Sequence, residues 1–250
     1  MALRNIKLII EYDGTRLHGW QIQDAAKRTV QGEIEKACKK VFKKSMRILG
    51  SGRTDSGVHA IGQVANLKID TRLSDTEIVR ALNASLPEDI AIIEAQTVAK
   101  KFHAQYSAKS KIYRYTILNR RGRSPLARYF CHYYPHPLDV NLMRREAKVL
   151  VGKRDFKSFQ ATPARESKEK STIRMVKKIT LTKKNGFIHI DIEANGFLHK
   201  MVRNIIGTLL EIGSGRSPKG SMKRILEKKN RLAAGRTAKA KGLCLLEVKY

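Results

Sequence analysis

The sequence is short of acidic residues. Only 22 of its 250 residues are Asp or Glu, against 51 Lys and Arg, which leaves a formal net charge of +29. The excess is uneven, because residues 1–100 carry 16 basic and 12 acidic residues, whereas residues 101–250 carry 35 and 10. A charge of this size exceeds what solubility requires and predicts a polyanionic partner that is bound mainly by the second part of the chain.

Cysteine is also scarce. The three cysteines, Cys38, Cys131 and Cys244, are odd in number and widely spaced, which excludes a disulfide framework and a Cys-x-x-Cys metal site and predicts a reducing cytoplasm. No uncharged apolar run is long enough to span a membrane, and no signal-peptide pattern is present, so no membrane partner is expected. The chain lacks a Walker loop, a Rossmann fingerprint and a metal-ligand cluster, and we therefore predict no cofactor.

Glycine, by contrast, is concentrated in one segment, Leu49–Ala60. Three glycines fall within eight residues there, which predicts a loop of defined shape rather than a helix. This loop carries Asp55, two residues after Arg53. A carboxylate among basic residues should be anionic, as a nucleophile or a general base must be. For an isolated Gly-x-Arg-x-Asp motif, a turn-capping role for the aspartate would be the simpler interpretation.

The whole run from Gly50 to Ala60 resembles the catalytic loop of the TruA family of tRNA pseudouridine synthases, in which the aspartate is the nucleophile. Other segments resemble that family as well, so that the resemblance covers essentially the full chain: residues 19–23 (Gly-Trp-Gln-Ile-Gln), 102–104 (Phe-His-Ala), 111–115 (Lys-Ile-Tyr-Arg-Tyr), 195–207 and 241–245 (Lys-Gly-Leu-Cys-Leu). The departures are Ser56 where the family commonly has Ala, Lys200 where a second histidine can occur, and Cys244 where an aromatic is often found. None of them removes a catalytic residue.

The resemblance implies a role for three residues besides Asp55, and the position of Arg53 beside Asp55 predicts a role for a fourth. Tyr113 corresponds to the active-site tyrosine that stacks on the target base, Arg203 to the arginine that pairs with the aspartate, and Leu243 to a leucine packed in the site. Arg53 is placed to fill the space left by a flipped uridine or to grip the RNA backbone. The residues alone allow simpler interpretations, since Tyr113 could be an ordinary sheet residue and Arg203 a solvated side chain on a helix flank.

The reaction implied is the isomerisation of uridine to pseudouridine. The N1–C1′ bond breaks, the base rotates while bound, and C5 joins C1′, so that no cofactor is required. Whether Asp55 attacks the base first or acts at the sugar stays open. By resemblance, the substrate is the anticodon stem-loop of tRNA at uridines 38–40, and the active form is a homodimer.

The order of predicted elements is β-α-β-β-α-β in each half. We therefore predict an α+β fold of two ferredoxin-like or RRM-like units, residues 1–105 with the Asp loop and residues 106–250 with most of the charge, whose antiparallel sheets join beside an RNA-binding cleft. Basic clusters in the second half, at residues 109–128, 165–184 and 216–241, include interleaved tyrosines in and just after the first, a pattern typical of structured-RNA binding.

Two rival functions are compatible with parts of the sequence. A non-enzymatic RNA-binding protein with two RRM-like units explains the charge and the topology, but it gives no reason to build a loop around a carboxylate that repels phosphate. A nucleoside hydrolase or glycosidase breaks the same kind of bond. Such enzymes need a carboxylate pair or a metal, and few acids are present to partner Asp55; we expect Asp13, the other loop-borne acid considered, to serve a turn.

Overall fold

The computed structural model describes residues 3–23, 27–161 and 171–250, and its contacts divide the chain into two compact units. The first unit contains the residues up to Lys109 together with Cys244–Tyr250, and the second contains Ser110–Leu243. The sequence assigns residues 106–250 to one second domain, whereas the last seven residues group with the first unit. In the described part of the chain, no helix is long and apolar enough to cross a membrane.

The regular elements alternate along the chain as an α+β fold requires. In order, they are β1 (Arg4–Tyr12), α1 (Val30–Phe42), β2 (Leu49–Gly50), β3 (His59–Ile69), α2 (Asp75–Asn83), β4 (Ile90–Val98), β5 (Ser110–Leu118), β6 (His132–Tyr133), α3 (Val140–Lys148), β7 (Gly152–Asp155), β8 (Ile173–Lys184), β9 (Phe187–Ala194), α4 (Met201–Gly213), α5 (Ser221–Lys228) and β10 (Leu243–Lys249). The predicted α+β class is confirmed.

The first unit has the β-α-β-β-α-β order that the sequence predicts. β1 lies between β4 and β3 and is antiparallel to both, while the short β2 pairs antiparallel with β3. β10 adds a parallel pair to β3, with Cys244 opposite His59. Alternate residues of β1, namely Ile6, Leu8 and Ile10, are fully buried, as expected for a strand with one face on a core.

The second unit is built on an antiparallel sheet with the order β5-β9-β8-β7. β8 and β9 form the predicted hairpin. Its turn residues Asn185 and Gly186 have φ values of +51° and +78°, which match the Asn-Gly type I′ turn. The two-residue β6 pairs parallel with β5.

Side chains cap the starts of three helices. The Thr29 side chain accepts a hydrogen bond from Gly32 N at the start of α1, and Ser74 forms a complete capping box with Glu77 at the start of α2. Asp139 caps α3 in the same way, through Leu142 N.

Two elements differ from the sequence prediction. The spacing predicts a helix from Phe197, but α4 begins at Met201, because Lys200 adopts a left-handed conformation with φ +57° that interrupts any earlier helical turn. β7 was not predicted, because its sequence Gly-Lys-Arg-Asp lacks the apolar alternation of a half-buried strand. It lies at the edge of its sheet, where a polar sequence is tolerated.

Candidate active site

The loop that carries Asp55 is anchored at the preceding residue. Thr54 is buried, and its Oγ1 lies 2.8 Å from Tyr12 Oη, in a hydrogen bond between two side chains that are buried at the end of β1 and in the loop. Its backbone oxygen accepts from Trp20 N at 3.1 Å. Because both the side chain and the backbone of Thr54 are held, Asp55 has a defined position although it lies outside any helix or strand.

Asp55 itself begins a tight turn. Val58 N donates to Asp55 O at 3.2 Å, and Gly57, with φ +77°, occupies the position that requires a left-handed residue. Gly57 N in turn donates to Leu17 O, which ties the turn to the neighbouring segment. Asp55 is partly buried, whereas the side chain of Arg53 is exposed to solvent. An exposed cation beside a partly buried carboxylate fits a loop that meets an anionic substrate.

Two glycines outside the motif allow the segment at residues 14–20 to approach the loop. A Cβ atom at Gly14 would lie 2.1 Å from Val58 O, and one at Gly19 would lie 2.5 Å from Thr54 O. Gly14 N also donates to Nδ1 of the buried His59. Sequence reasoning did not predict that Gly14 and Gly19 pack against the Asp55 loop. The signal for Gly19 was its place in the Gly-Trp-Gln segment at residues 19–21.

Trp20 is a packing residue. Its side chain is 2% exposed, and its indole fills the space in which a Cβ of Gly50 would stand. Gly50 therefore serves the close approach of the indole to β2.

In the second unit, Tyr113 lies on β5 and is 8% exposed. Its ring meets the edge of Phe197 in a T-shaped arrangement with centroids 5.0 Å apart, which restricts the orientation of the phenol. Phe197 was not singled out from the sequence, although it belongs to the 195–207 segment.

Tyr115, on the same face of β5, is fully buried, and its hydroxyl donates to Lys239 O at 2.8 Å. Burial raises the pKa of this phenol. Tyr115 is therefore a buried sheet residue, and its hydroxyl positions the chain segment around residue 239.

Arg203 projects from the flank of α4, where the sequence placed it, and is partly buried. Its Nε donates to Ala238 O at 2.8 Å, and Ala238 N donates back to Arg203 O at 3.1 Å. The Nε–H bond orients the guanidinium, and the backbone bond ties residue 238 to the start of α4. A few residues on, Leu243 is 6% exposed at the start of β10.

The structure thus groups the predicted residues into two sets, one in each unit. Asp55 and Arg53 share one loop of the first unit. Tyr113, Arg203 and Leu243 belong to the second unit, where the segment from residue 236 to residue 243 contacts Arg203 and Tyr115. Sequence reasoning singled out residues 241–245 and a basic cluster at 216–241, but not the hydrogen bonds that Lys239 and Ala238 accept from Tyr115 and Arg203, because these bonds span 124 and 35 residues.

His132 lies beside this segment. Its Nδ1 is 3.0 Å from Tyr115 Oη, and because the hydroxyl proton is directed at Lys239 O, Nδ1–H is the donor of this hydrogen bond. Burial, reinforced by the charges of Lys239 and Lys241, lowers the pKa of His132 to about 4. The ring is thus neutral near pH 7.

This environment predicts a pH-dependent stability. The unfolded chain protonates His132 near its ordinary pKa of about 6.5, whereas the folded protein resists protonation down to about 4. The unfolded state therefore binds more protons in this window, and stability is full above about pH 6.5 and falls as the pH drops towards 4. We expect a loss of about 2 kcal/mol, measured as the shift of the urea midpoint, after allowance for the exposed part of the ring.

His132→Gln should remove most of that slope, since the amide does not titrate. A smaller slope should persist from His189, whose pKa is lowered by burial and by Arg114. Identical pH profiles for the variant and the wild type would show that His132 is not the group responsible.

Comparisons with known proteins identify the family of the chain. The model of the family described as tRNA pseudouridine synthase matches residues 8–107 and 147–250. The chain is 44% identical over 248 residues to tRNA pseudouridine synthase A of Thermoanaerobacter sp. (strain X514), and the match covers 99% of this chain and 100% of that one. The corresponding protein of Caldicellulosiruptor bescii is also 44% identical, and tRNA pseudouridine synthase A 2 of Clostridium perfringens is 42% identical, with the same coverage. The chain therefore belongs to the tRNA pseudouridine synthase A (TruA) family and is an isomerase.

Proposed function

We propose that this enzyme converts uridine to pseudouridine at positions 38–40 of the tRNA anticodon stem-loop, with Asp55 as the essential carboxylate. The observation that carries the proposal is the anchoring of the Asp55 loop. A partly buried carboxylate is held through the buried Tyr12–Thr54 hydrogen bond and a Gly57 turn in a protein with a charge of +29. A simple RNA-binding module has no use for an anion fixed in this way.

The reaction conserves all atoms. Asp55 either forms a bond to the base, which is broken again before the product leaves, or acts at the sugar, where C5 of the base later displaces it from C1′. The N1–C1′ bond breaks, the detached uracil rotates, and C5 bonds to C1′. The proton on C5 is then removed and N1 ends protonated, so that neither water nor an electron carrier is consumed.

Three groups of the second unit support these steps in the proposal. Tyr113, oriented by Phe197, stacks on the flipped base and assists removal of the C5 proton. Arg203, whose guanidinium is oriented by Ala238, forms an ion pair with Asp55 that keeps the carboxylate ionised and in position. Leu243 contributes apolar packing beside the base. The RNA-binding cleft between the units stays a prediction.

The test uses tRNA transcribed without modifications and incubated with the protein at a fixed ratio. Pseudouridine is mapped by carbodiimide adducts and primer extension. The expected result is new stops at positions 38–40 in tRNAs with uridine there, and none in transcripts with cytidine at those positions. If the protein binds these tRNAs and yields no pseudouridine in any of them, the non-enzymatic RNA-binding function replaces this one.

Arg53 is proposed to fill the space that the flipped uridine leaves. Arg53→Ala should then lower turnover about 10- to 100-fold on a folded stem-loop, but only about two- to threefold on a flexible single strand, in which no stacked position has to be vacated. Initial rates on the two RNAs measure the ratio. The matched control is Arg72→Ala, which removes another exposed arginine of the same unit. Equal losses on both substrates would eliminate the flipping role.

The assembly and the compartment are further parts of the proposal. We place the enzyme in the cytoplasm with its tRNA, and as a homodimer, in line with the family it belongs to. Sedimentation at working concentration tests the oligomeric state, and a monomer there that turns over tRNA would remove the homodimer.

A further inference from the structure

The second unit contains a basic cavity that no step of the proposed reaction uses. It has a volume of about 410 Å³ and lies where the segment after β5 meets the segment before β10. Three cationic side chains line it, together with a hydroxyl, a thiol and a phenol: Arg123, Arg128, Lys241, Ser124, Cys131 and Tyr133. Its size suits one sugar-phosphate unit of a nucleic acid.

Hydrogen bonds give the wall of this cavity a defined shape. Arg128 Nη1 donates to Pro125 O at 2.5 Å, and Lys241 Nζ donates to Arg128 O at 2.8 Å. Tyr133 Oη donates to the backbone oxygen of Arg121. These three hydrogen bonds restrict the chain segments that carry the cations, and the cationic side chains line one cavity.

Within the described residues, no carboxylate lies within ion-pair distance of these cations. Residues 119–138 and 228–246 contain neither Asp nor Glu, and within the described parts of the chain Arg123, Arg128 and Lys241 form no ion pair. The positive charge affects a neighbouring side chain. Burial raises the pKa of the Cys131 thiol, and the charge of Lys241 partly offsets that increase. A cavity with three uncompensated cations is suited to an anion.

The rim of the cavity adds aromatic surface. Tyr129 and Phe130 are 44% and 50% exposed, and the guanidinium of Arg128 lies 4.2 Å from the centroid of the Tyr129 ring. Exposed rings beside cations are the combination that binds single-stranded or unpaired nucleotides, by stacking and phosphate contact together. The charge also continues beyond the cavity over the exposed Arg121, which favours a chain of phosphates over one small anion.

We propose that this cavity binds a backbone phosphate of the RNA substrate, with an adjacent base placed against Tyr129 or Phe130. The inference rests on the proposed function, because it takes tRNA as the polyanion. Arg123 and Arg128 hold the phosphate through guanidinium hydrogen bonds, and Lys241 adds a point charge. The cavity acts in affinity and takes no part in breaking the glycosidic bond.

The experiment measures the Kd for unmodified full-length tRNA by filter retention, from about 50 to about 300 mM salt. Arg123→Ala is the principal variant, since the Arg123 side chain donates no described hydrogen bond and its loss should leave the fold intact. We expect a Kd about 5- to 10-fold higher and a slope of log Kobs against log salt that is smaller in magnitude by about 1. Arg128→Ala and Lys241→Ala should behave alike, and Tyr129→Ala should weaken binding about 5-fold with the slope unchanged.

Lys223→Ala is the matched control, because it removes an exposed lysine of the same unit that already lies 4.0 Å from Glu227. Its Kd and slope should equal those of the wild type. Wild-type slopes in all three cavity variants, or an equal decrease in the control, would overturn the proposal. A change of oligomeric state with unchanged slopes would assign the cavity to a contact between chains and overturn it as well. A failure of the proposed function would appear in a different measurement, as the absence of pseudouridine from reactions with the wild-type protein. The salt dependence of Kd does not depend on turnover, so the two failures can be told apart.

Discussion

Asp55→Asn is expected to abolish pseudouridine formation and to leave tRNA binding intact. The amide occupies the same space as the carboxylate, but it cannot act as a nucleophile or accept a proton as a base. We expect the single-turnover rate to fall by about 10³-fold or more. Binding should be unchanged or slightly tighter, because the substitution removes a negative charge that faces phosphate.

The measurement combines carbodiimide mapping of the product with filter retention of tRNA. Asp70→Asn is the matched control, since it makes the same chemical change at an exposed residue of the same unit and should keep full activity. A variant at position 55 that retains more than about a tenth of the wild-type rate would show that the carboxylate is not essential. Loss of both binding and turnover would instead indicate a structural role for this residue.

Gly19→Ala should damage the site from outside the catalytic loop. Gly19 has φ +83°, and an added Cβ would lie 2.5 Å from Thr54 O and 3.1 Å from the carbonyl carbon of Asp55. Thr54 cannot move aside freely, because its side chain is hydrogen-bonded to Tyr12. We expect turnover to fall about 100-fold and stability to fall by about 2 to 4 kcal/mol, from the combined strain and overlap.

Gly215→Ala separates the two causes. Gly215 has a similar φ of +76°, and an added Cβ there would meet no atom within 4 Å. This variant should lose only about 1 kcal/mol and keep wild-type turnover. Urea midpoints and initial rates are measured for both variants at one temperature. If the two variants behave alike, the close approach of Gly19 to Thr54 does not position Asp55.

Local signals made much of the fold predictable. Thr29, the Ser74–Glu77 pair and Asp139 each cap a helix through atoms three residues away, and Asn185-Gly186 forms its turn without help from distant segments. The helix start that was placed wrongly depends on the left-handed Lys200, a residue type with no preference for that conformation. Helix ends and turns that depend on residues close in the chain can be predicted from the sequence. The start of α4 could not, because no local signal marks Lys200 as left-handed.

By itself, the sequence determined the α+β class, the basic character of the second half, and the segments that carry Asp55, Tyr113, Arg203 and Leu243. Only the tertiary structure decided what holds them. Tyr12 reaches Thr54 across 42 residues, and Arg203 reaches Ala238 across 35. Positions 14 and 19 require glycine because other backbone segments pack directly against Gly14 and Gly19 and leave no room for a Cβ atom. Such contacts join residues far apart in the chain and leave no periodicity or motif behind, so they become visible only when the folded backbone brings the partners within bonding distance.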